Sequence, residues 1–243
     1  MEQLWFTALL NRLLGGPVLS LLLALGIHPK HADAPITNVV SMQILVVLLL
    51  TLTFALVRSR LSVDRPGGLQ HIFELVESSV GNLAGDIIGH GYERYVPYLI
   101  TLGLFILSCN LIGMIPGFES PTGSPVVPLG CAIVTWCYYH FHGIRTNGVG
   151  GYLKHFMGPV LWLAPLIFII EIFSHLARLL SLTVRLYANI FAGEQVTLVF
   201  FSLIPIGAPL IFEALHVFFG VIQTLVFVLL ACVYLGEATA HDH

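Results

Sequence analysis

Residues 159–203 read PVLWLAPLIFIIEIFSHLARLLSLTVRLYANIFAGEQVTLVFFSL. Apolar side chains recur at helical spacing along the whole segment, and four charged residues interrupt them. A continuous helix of this length would be about 65 Å long, roughly twice the ~30 Å hydrocarbon core of a bilayer. The segment therefore predicts a membrane helix that is either broken or strongly tilted.

The composition of the whole chain points to the same environment. Of its 243 residues, 57% are hydrophobic and 9% are charged, whereas about a quarter of an ordinary soluble domain is charged. So few charges exclude a soluble enzyme and a disordered chain. The formal net charge of −3 also excludes a basic nucleic-acid-binding protein. We therefore predict an all-α integral membrane protein.

Long apolar stretches predict about five membrane-inserted helices, the last two of them long and strongly tilted. Their residue ranges are 37–57, 95–118, 125–144, 159–203 and 210–236. The first is followed by Arg58, Arg60 and Arg65, the strongest basic cluster in the chain. By the positive-inside rule this end is cytoplasmic. The N-terminus is then outside, and the C-terminus is cytoplasmic.

Two further segments are predicted to lie at the membrane surface. The apolar run at 17–27 is too short to span a bilayer and is interpreted as an interfacial helix. Residues 66–94 combine helical apolar spacing with several charges, which also favours an interfacial amphipathic helix. We divide the chain into an N-terminal interfacial segment, 1–36, and a single membrane domain, 37–243.

Polar and ionisable residues inside the last two helices carry the chemical signal. On the first of these helices, spacings of 4, 3, 4, 3 and 4 form one stripe: Glu171, His175, Arg178, Leu182, Arg185 and Asn189. On the second helix, spacings of 3, 4 and 3 form another: Glu213, His216, Gly220 and Gln223. Charges at bilayer depth are costly, so these stripes are expected to face protein or water.

The chemistry of these side chains suggests a proton path in two parts. Glu194 lies about 180° around the helix from Arg185 and belongs to a different environment, where His216 is a candidate neighbour. Carboxylates and imidazoles can relay protons, whereas arginine stays protonated and blocks a continuous path. A mobile carrier on a partner would have to connect the two halves.

Less specific interpretations remain open. One alternative is that the arginines are structural partners of Glu171 or Glu194, and another is that Arg178 extends to lipid headgroups or to water. His140 and His142 are interpreted as part of an interfacial aromatic belt, and neither a metal nor a cofactor site is predicted. Asn110 is expected to make a helix–helix hydrogen bond. A secondary transporter or an ion channel with an intramembrane Glu/His/Arg relay is the alternative function.

The segment SLTVRLYANIFAGE, residues 181–194, closely resembles the signature of subunit a of the membrane sector of F-type ATP synthases. Gln223, Phe227 and the sequence VYL at 233–235 are similar to the end of that family's last helix, and NLIGMIP at 110–116 resembles the end of an earlier one. His216 stands where the family has His or Glu.

The resemblance implies a stator subunit with two offset half-channels that protonate and deprotonate a carboxylate on a rotating c-ring, coupling proton flow to ATP synthesis. It implies that Arg185 separates the half-channels, that Glu194 and His216 line the outer one, and that Glu171 lines the cytoplasmic one. It places Gln223 near Arg185 and includes Asn189 in the signature.

The partners implied by the family are the c-ring, the b subunits of the peripheral stalk, the lipid bilayer and, indirectly, the catalytic sector. The subunit itself would be non-catalytic and would lie in a bacterial inner membrane. The roles of Glu213 and Arg178 and the choice between protons and sodium ions are left open.

Overall fold

A computed structural model describes residues 3–26, 34–62, 67–115, 117–157, 162–203 and 208–239. Seven α-helices and two short 3-10 helices make up the regular structure of these residues. The α-helices are α1 (Trp5–Ala24), α2 (Asn38–Ser59), α3 (Gly68–Ile88), α4 (Val96–Ile112), α5 (Val126–Met157), α6 (Ala164–Leu203) and α7 (Ala208–Thr239). The predicted all-α membrane fold is confirmed.

The core lies where α4, α5 and α6 pack around α7, with α3 against the outer side of α7. Its most buried side chains are Leu99, Ile106, Leu186, Ile190, Phe227 and Leu235. Many large apolar side chains on α2 and α6 are instead exposed. A lipid bilayer accommodates such faces, whereas a soluble protein rarely exposes so much contiguous apolar surface.

The two C-terminal helices are long, as predicted, with 40 residues in α6 and 32 in α7. Helix α6 is continuous from Ala164 to Leu203, so of the two alternatives for this segment the broken helix is wrong. At about 60 Å, α6 is too long to stand upright within a ~30 Å hydrocarbon core. Arg65 of the predicted basic cluster and residues 204–207 between α6 and α7 lie outside the described residues.

Four of the described helices are long and apolar enough to cross a membrane, namely α1, α2, α6 and α7, and α4 is a shorter apolar helix. Helix α5 contains the predicted span 125–144 but does not meet this criterion. It continues into a polar second half, and its backbone leaves helical geometry at Gly148, where φ is +70°. The membrane span predicted within α5 stays a prediction, and α1 is a further apolar helix of span length.

Helix α1 is longer than the apolar run at 17–27, which was judged too short to span a bilayer. The helix begins at Trp5 and has 20 residues, so it is long enough to span the membrane. It is tied to the start of α2 because the Asn11 side chain donates to the Ile36 carbonyl and accepts from the Ile36 amide, both at 3.0 Å. The hydroxyls of Thr7 and Ser41 lie 2.5 Å apart. The interfacial position of 1–36 stays a prediction.

Helix α3 covers most of the predicted amphipathic segment. Leu69 and Ile72 near its start are exposed, whereas Val80, Leu83 and Ile87 pack against the core. An apolar face that is half covered by protein is compatible with a helix at the membrane surface.

Asn110 makes the expected hydrogen bonds between helices. Its amide nitrogen donates to the Gly220 carbonyl at 3.0 Å and to the Thr224 hydroxyl at 3.2 Å. Its amide oxygen accepts from the Thr122 hydroxyl at 2.7 Å. A Cβ placed on Gly220 would lie 3.4 Å from the Cβ of Asn110, so this glycine allows the close approach of α4 and α7.

Replacement of Asn110 by leucine is expected to lower the thermal stability of the assembled protein. The change removes the three side-chain hydrogen bonds of Asn110 and forces leucine against α7, and each hydrogen bond contributes about 0.5–1.5 kcal/mol. Thermal unfolding of the purified complex in detergent measures the effect. Asn82→Leu on the exposed side of α3 is the control, and equal stability of the two variants would contradict the prediction.

Candidate functional site

Polar side chains gather at both ends of the α6–α7 pair. The C-terminal part of α6 and the N-terminal part of α7 line a cavity of about 990 Å³, called the large cavity below. The N-terminal part of α6 and the C-terminal end of α7 line a cavity of about 20 Å³, called the small cavity. The two helices are therefore antiparallel, with one polar cavity at each end.

The large cavity is lined by residues from both halves of the chain. Three of its lining residues are carboxylates: Glu119, Glu194 and Glu213. The side chain of His216 also faces it, and the starts of α1 and α2 complete its wall. Sequence reasoning could not place Glu213, and the structure puts this residue in the same cavity as Glu194.

Glycines bring Glu194 and His216 close to neighbouring backbone. A Cβ placed on Gly123 would lie 2.8 Å from Oε2 of Glu194, and one on Gly193 would lie 3.1 Å from Nδ1 of His216. His216 is 8% exposed, and its Nε2 has no hydrogen-bond partner within the part of the chain that the structure describes. The His216 imidazole on α7 therefore packs against α6 at Gly193, the residue before Glu194.

The small cavity is surrounded by a dense polar cluster. Nε2 of His175 lies 3.3 Å from Oε1 of Glu171, one helical turn earlier. Nδ1 of the same ring lies 2.8 Å from the Tyr139 hydroxyl on α5. Nδ1 of His140 lies 2.6 Å from the Tyr152 hydroxyl, and the His140 ring is 4.7 Å from the His175 ring. A cavity of this size has room for about one water molecule.

Arg178 has a protein partner at the same cavity. Its guanidinium forms an ion pair with Glu237 near the end of α7 and lies 5.0 Å from the centre of the Tyr234 ring. The spacing within α6 did not indicate this partner, because Glu237 is 59 residues away in sequence.

Arg185 lies between the cavities and differs from the rest of its stripe. Its side chain is exposed, and Nη2 donates to Ser181 Oγ at 3.2 Å. Among the described residues it has no ion pair, although His175 and Leu182 on the same stripe are buried. In the described part of the chain, Arg185 therefore forms no ion pair with Glu171 or Glu194. Asn189 is half-buried one turn later, and Gln223 is buried on α7.

Several residues of these clusters had no signal in the sequence that identified them. Tyr139 and His140 were assigned to an aromatic belt, and Tyr152, Glu237 and Glu119 were not singled out. All five lie outside α6, so the spacing within that helix does not indicate them. Within the described ranges, no group of three or more His, Cys, Asp or Glu side chains has an arrangement suited to a metal ion.

These features define a class of protein: a multi-pass helical membrane protein whose ionisable groups form two separate polar cavities along one helix pair. The sequence model described as "ATP synthase A chain" matches residues 39–236. The chain belongs to the ATP synthase subunit a family, the proton-translocating membrane subunits of F-type ATP synthases.

Individual relatives agree with this membership. The ATP synthase subunit a of Koribacter versatilis is 60% identical over 242 residues, which cover 100% of this chain and 99% of the relative. That of Solibacter usitatus is 50% identical, with 86% of this chain and 90% of the relative covered. An ATP synthase subunit a of Pelobacter propionicus is 39% identical, with 88% and 93% covered.

Proposed function

We propose that the two cavities are the outer and cytoplasmic half-channels of this subunit, and that Arg185 separates them. The observation that carries the proposal is the position of the polar groups along α6. Glu171 and Glu194 are about 35 Å apart at about 1.5 Å per residue, and Arg185 lies between them. Protons entering one cavity would leave by the other only after transfer to a c-ring carboxylate.

The large cavity serves as the outer half-channel. Residues at the start of α2 line it, and Arg58 and Arg60 are at the opposite end of that helix. Because basic residues mark the cytoplasmic side, the cavity opens to the outside, the N-terminus is outside and the C-terminus is cytoplasmic. Glu194 and His216 accept protons there, and Gln223 and Asn189 lie further along the path toward Arg185.

The small cavity serves as the cytoplasmic half-channel. The Glu171 carboxylate and the His175 imidazole lie side by side, and side chains of these two kinds can relay protons. Glu171 therefore carries protons between the ring carboxylate and the cytoplasm. The cavity is far narrower than the outer one, which leaves less water for a direct leak.

Arg185 acts by its fixed charge. Because a guanidinium does not lose its proton in proteins, it cannot pass protons along α6, and it attracts the ionised carboxylate of a ring subunit. Its exposure supports contact with a partner, because α6 presents Arg185 outward among Leu180, Val184 and other exposed apolar side chains. Each proton that crosses carries about 2.3 kcal/mol per 100 mV.

The remaining assignments follow from this role. The subunit forms and breaks no covalent bond itself, and ATP is made in the catalytic sector, to which this chain is connected through the c-ring and the b subunits. The location is a bacterial inner membrane. ATP synthesis in vesicles under an imposed pH gradient, with and without sodium ions, tests the coupling: synthesis that requires sodium would overturn proton coupling.

A secondary transporter would instead use both halves of the chain in a symmetric way. Here the ionisable groups of both cavities come mostly from α5, α6 and α7. Purification from native membranes distinguishes the two functions. We expect the chain to copurify with a c-ring, and a free monomer that takes up a substrate would overturn the proposal.

Substitution of Glu194 by glutamine is expected to slow proton entry from the outside by tenfold or more, in the range that positioned acid–base groups contribute. The amide keeps the size of the side chain but cannot take up the proton. Proton flux measured across a range of outer pH tests the effect. Glu77→Gln, on the exposed face of α3, is the control, and unchanged flux for Glu194→Gln would remove this residue from the path.

A further inference from the structure

Tyr139 on α5 is a buried tyrosine that contacts His175 on α6. The residue is 2% exposed. Among the described residues its hydroxyl has one hydrogen-bond partner, Nδ1 of His175, at 2.8 Å. Buried polar groups in native proteins are almost always hydrogen-bonded, and the hydrogen of this hydroxyl has no other acceptor in the described part of the chain. The hydroxyl therefore donates, and Nδ1 accepts.

This contact determines the role of the second ring nitrogen of His175. In a neutral imidazole one nitrogen accepts a hydrogen bond and the other carries the hydrogen, and a partner at one nitrogen sets the role of the other. With Nδ1 as the acceptor, Nε2 is the donor. Nε2 lies 3.3 Å from Oε1 of Glu171, so the polar hydrogen of the ring is beside that carboxylate.

Packing holds the His175 ring in the same orientation. His175 is 9% exposed, and the ring of His140 lies 4.7 Å from its ring. Tyr139 and His175 both line the small cavity together with Glu171. The other titratable or charged side chains that line this cavity are Tyr152 on α5, Arg178 on α6, and Tyr234 and Glu237 on α7. Three helices therefore surround the pair formed by Glu171 and His175.

We propose that Tyr139 is a positioning residue of the cytoplasmic half-channel. Its hydroxyl keeps Nε2 of His175 as the donor to Oε1 of Glu171, which leaves Oε2 to take up and release the proton. The inference rests on the proposed function of the small cavity, and it adds a residue of α5 to the path. A hydrogen bond donated to a carboxylate favours its ionised form, so Tyr139 promotes the release of protons from Glu171 to the cytoplasm.

Tyr139→Phe tests this role because phenylalanine keeps the ring and removes only the hydroxyl. Without the hydroxyl, Nδ1 can carry the hydrogen instead, and Glu171 then loses its donor. The measurement is passive proton conductance toward the cytoplasmic side as a function of cytoplasmic pH, in vesicles that contain the membrane sector without the catalytic sector. We expect the midpoint of the profile to rise by about half to one pH unit, as for one lost hydrogen bond, with unchanged assembly. Below the midpoint this shift is a fall in conductance of about three- to tenfold.

Tyr98→Phe is the matched control. The Tyr98 hydroxyl also forms a hydrogen bond between helices, with Thr135 Oγ1 at 2.9 Å, but Tyr98 lines neither cavity. We expect this variant to keep the midpoint of the unmodified protein. If Tyr139 only ties α5 to α6, Tyr139→Phe lowers the conductance by the same factor at every pH. That result, or a profile identical to that of the unmodified protein, would overturn the inference.

His175→Leu tests whether Tyr139 acts through the imidazole. Leucine removes the acceptor of the Tyr139 hydroxyl and the donor beside Glu171, so we expect the midpoint to rise here as well. Addition of Tyr139→Phe to this variant should cause no further shift, because residues that act as a unit are not additive. Shifts that add would contradict the proposed role. If Tyr139→Phe prevents assembly, an unchanged midpoint of His175→Leu would contradict it equally.

Glu171→Gln in the same vesicles separates this inference from the proposed function. Blocked conductance with Glu171→Gln and an unchanged midpoint with Tyr139→Phe would overturn the role of Tyr139 alone. Normal conductance with Glu171→Gln would overturn the cytoplasmic half-channel itself.

Discussion

Replacement of Arg185 by alanine is expected to abolish ATP-driven proton pumping. The physical reason is that alanine offers no fixed charge to hold the ring carboxylate or to separate the two half-channels. Assembly should be largely intact, because the side chain is exposed and, among the described residues, forms a hydrogen bond only with Ser181. Its removal leaves no carboxylate of the described chain without a partner.

Pumping is measured as acidification of inverted membrane vesicles on addition of ATP, with the amount of assembled complex determined in the same membranes. Arg58→Ala is the control, because Arg58 is exposed on α2 and lines neither cavity. If the Arg185 variant still pumps, the proposed charge barrier is wrong. If it fails to assemble, the side chain has a structural role that the described contacts do not explain.

Reversal of charge at Arg178 is the second change expected to have a large effect. Arg178→Glu brings two carboxylates together at the small cavity, and like charges about 4 Å apart repel by about 4 kcal/mol at an effective dielectric constant of about 20. Half of the Glu237 side chain is exposed, so water screens part of this repulsion. We expect at least about a tenfold loss of proton conductance or of assembled complex.

The double variant Arg178→Glu, Glu237→Arg restores an ion pair in reverse and provides the internal control. It should recover most of the loss, because the attraction does not depend on which helix carries which sign. Conductance and thermal stability of the complex are measured for both single variants and the double. A double variant as impaired as Arg178→Glu would show that the pair does not connect α6 to α7.

The sequence predicted what depends on spacing within one helix. The contact of Glu171 with His175 follows from their separation of four residues, and the grouping of Glu194 with His216 follows from helical angles and the antiparallel neighbour. The position of Arg185 between the two groups is likewise a matter of counting residues. Long apolar segments sufficed to predict α2, α6 and α7.

Contacts between distant segments were not predictable in this way. Glu237 and Tyr139 meet α6 only because three helices pack together, and nothing in the spacing of either residue indicates that contact. The role of Arg178 was therefore left open. The stripe that contains Arg178 and Arg185 was treated as one environment, but α5 and α7 cover its first half and leave Arg185 exposed.

The remaining difference concerns the N-terminal segment. Helix α1 was underestimated because only the apolar run at 17–27 was counted, whereas the helix begins at Trp5. In the structure Asn11 is satisfied by the backbone of Ile36. A polar residue with such a partner does not end a helix, and a count of apolar residues cannot reveal the partner.

The wall of the large cavity contains residues from the first helix and from the last two. A chain that is still being synthesised has inserted α1 and α2 but has not yet made α6 and α7, so the cavity does not exist at that stage. If protons use this route, a half-finished polypeptide provides no entrance for them. The order of synthesis itself then protects the membrane from a leak until the chain is complete.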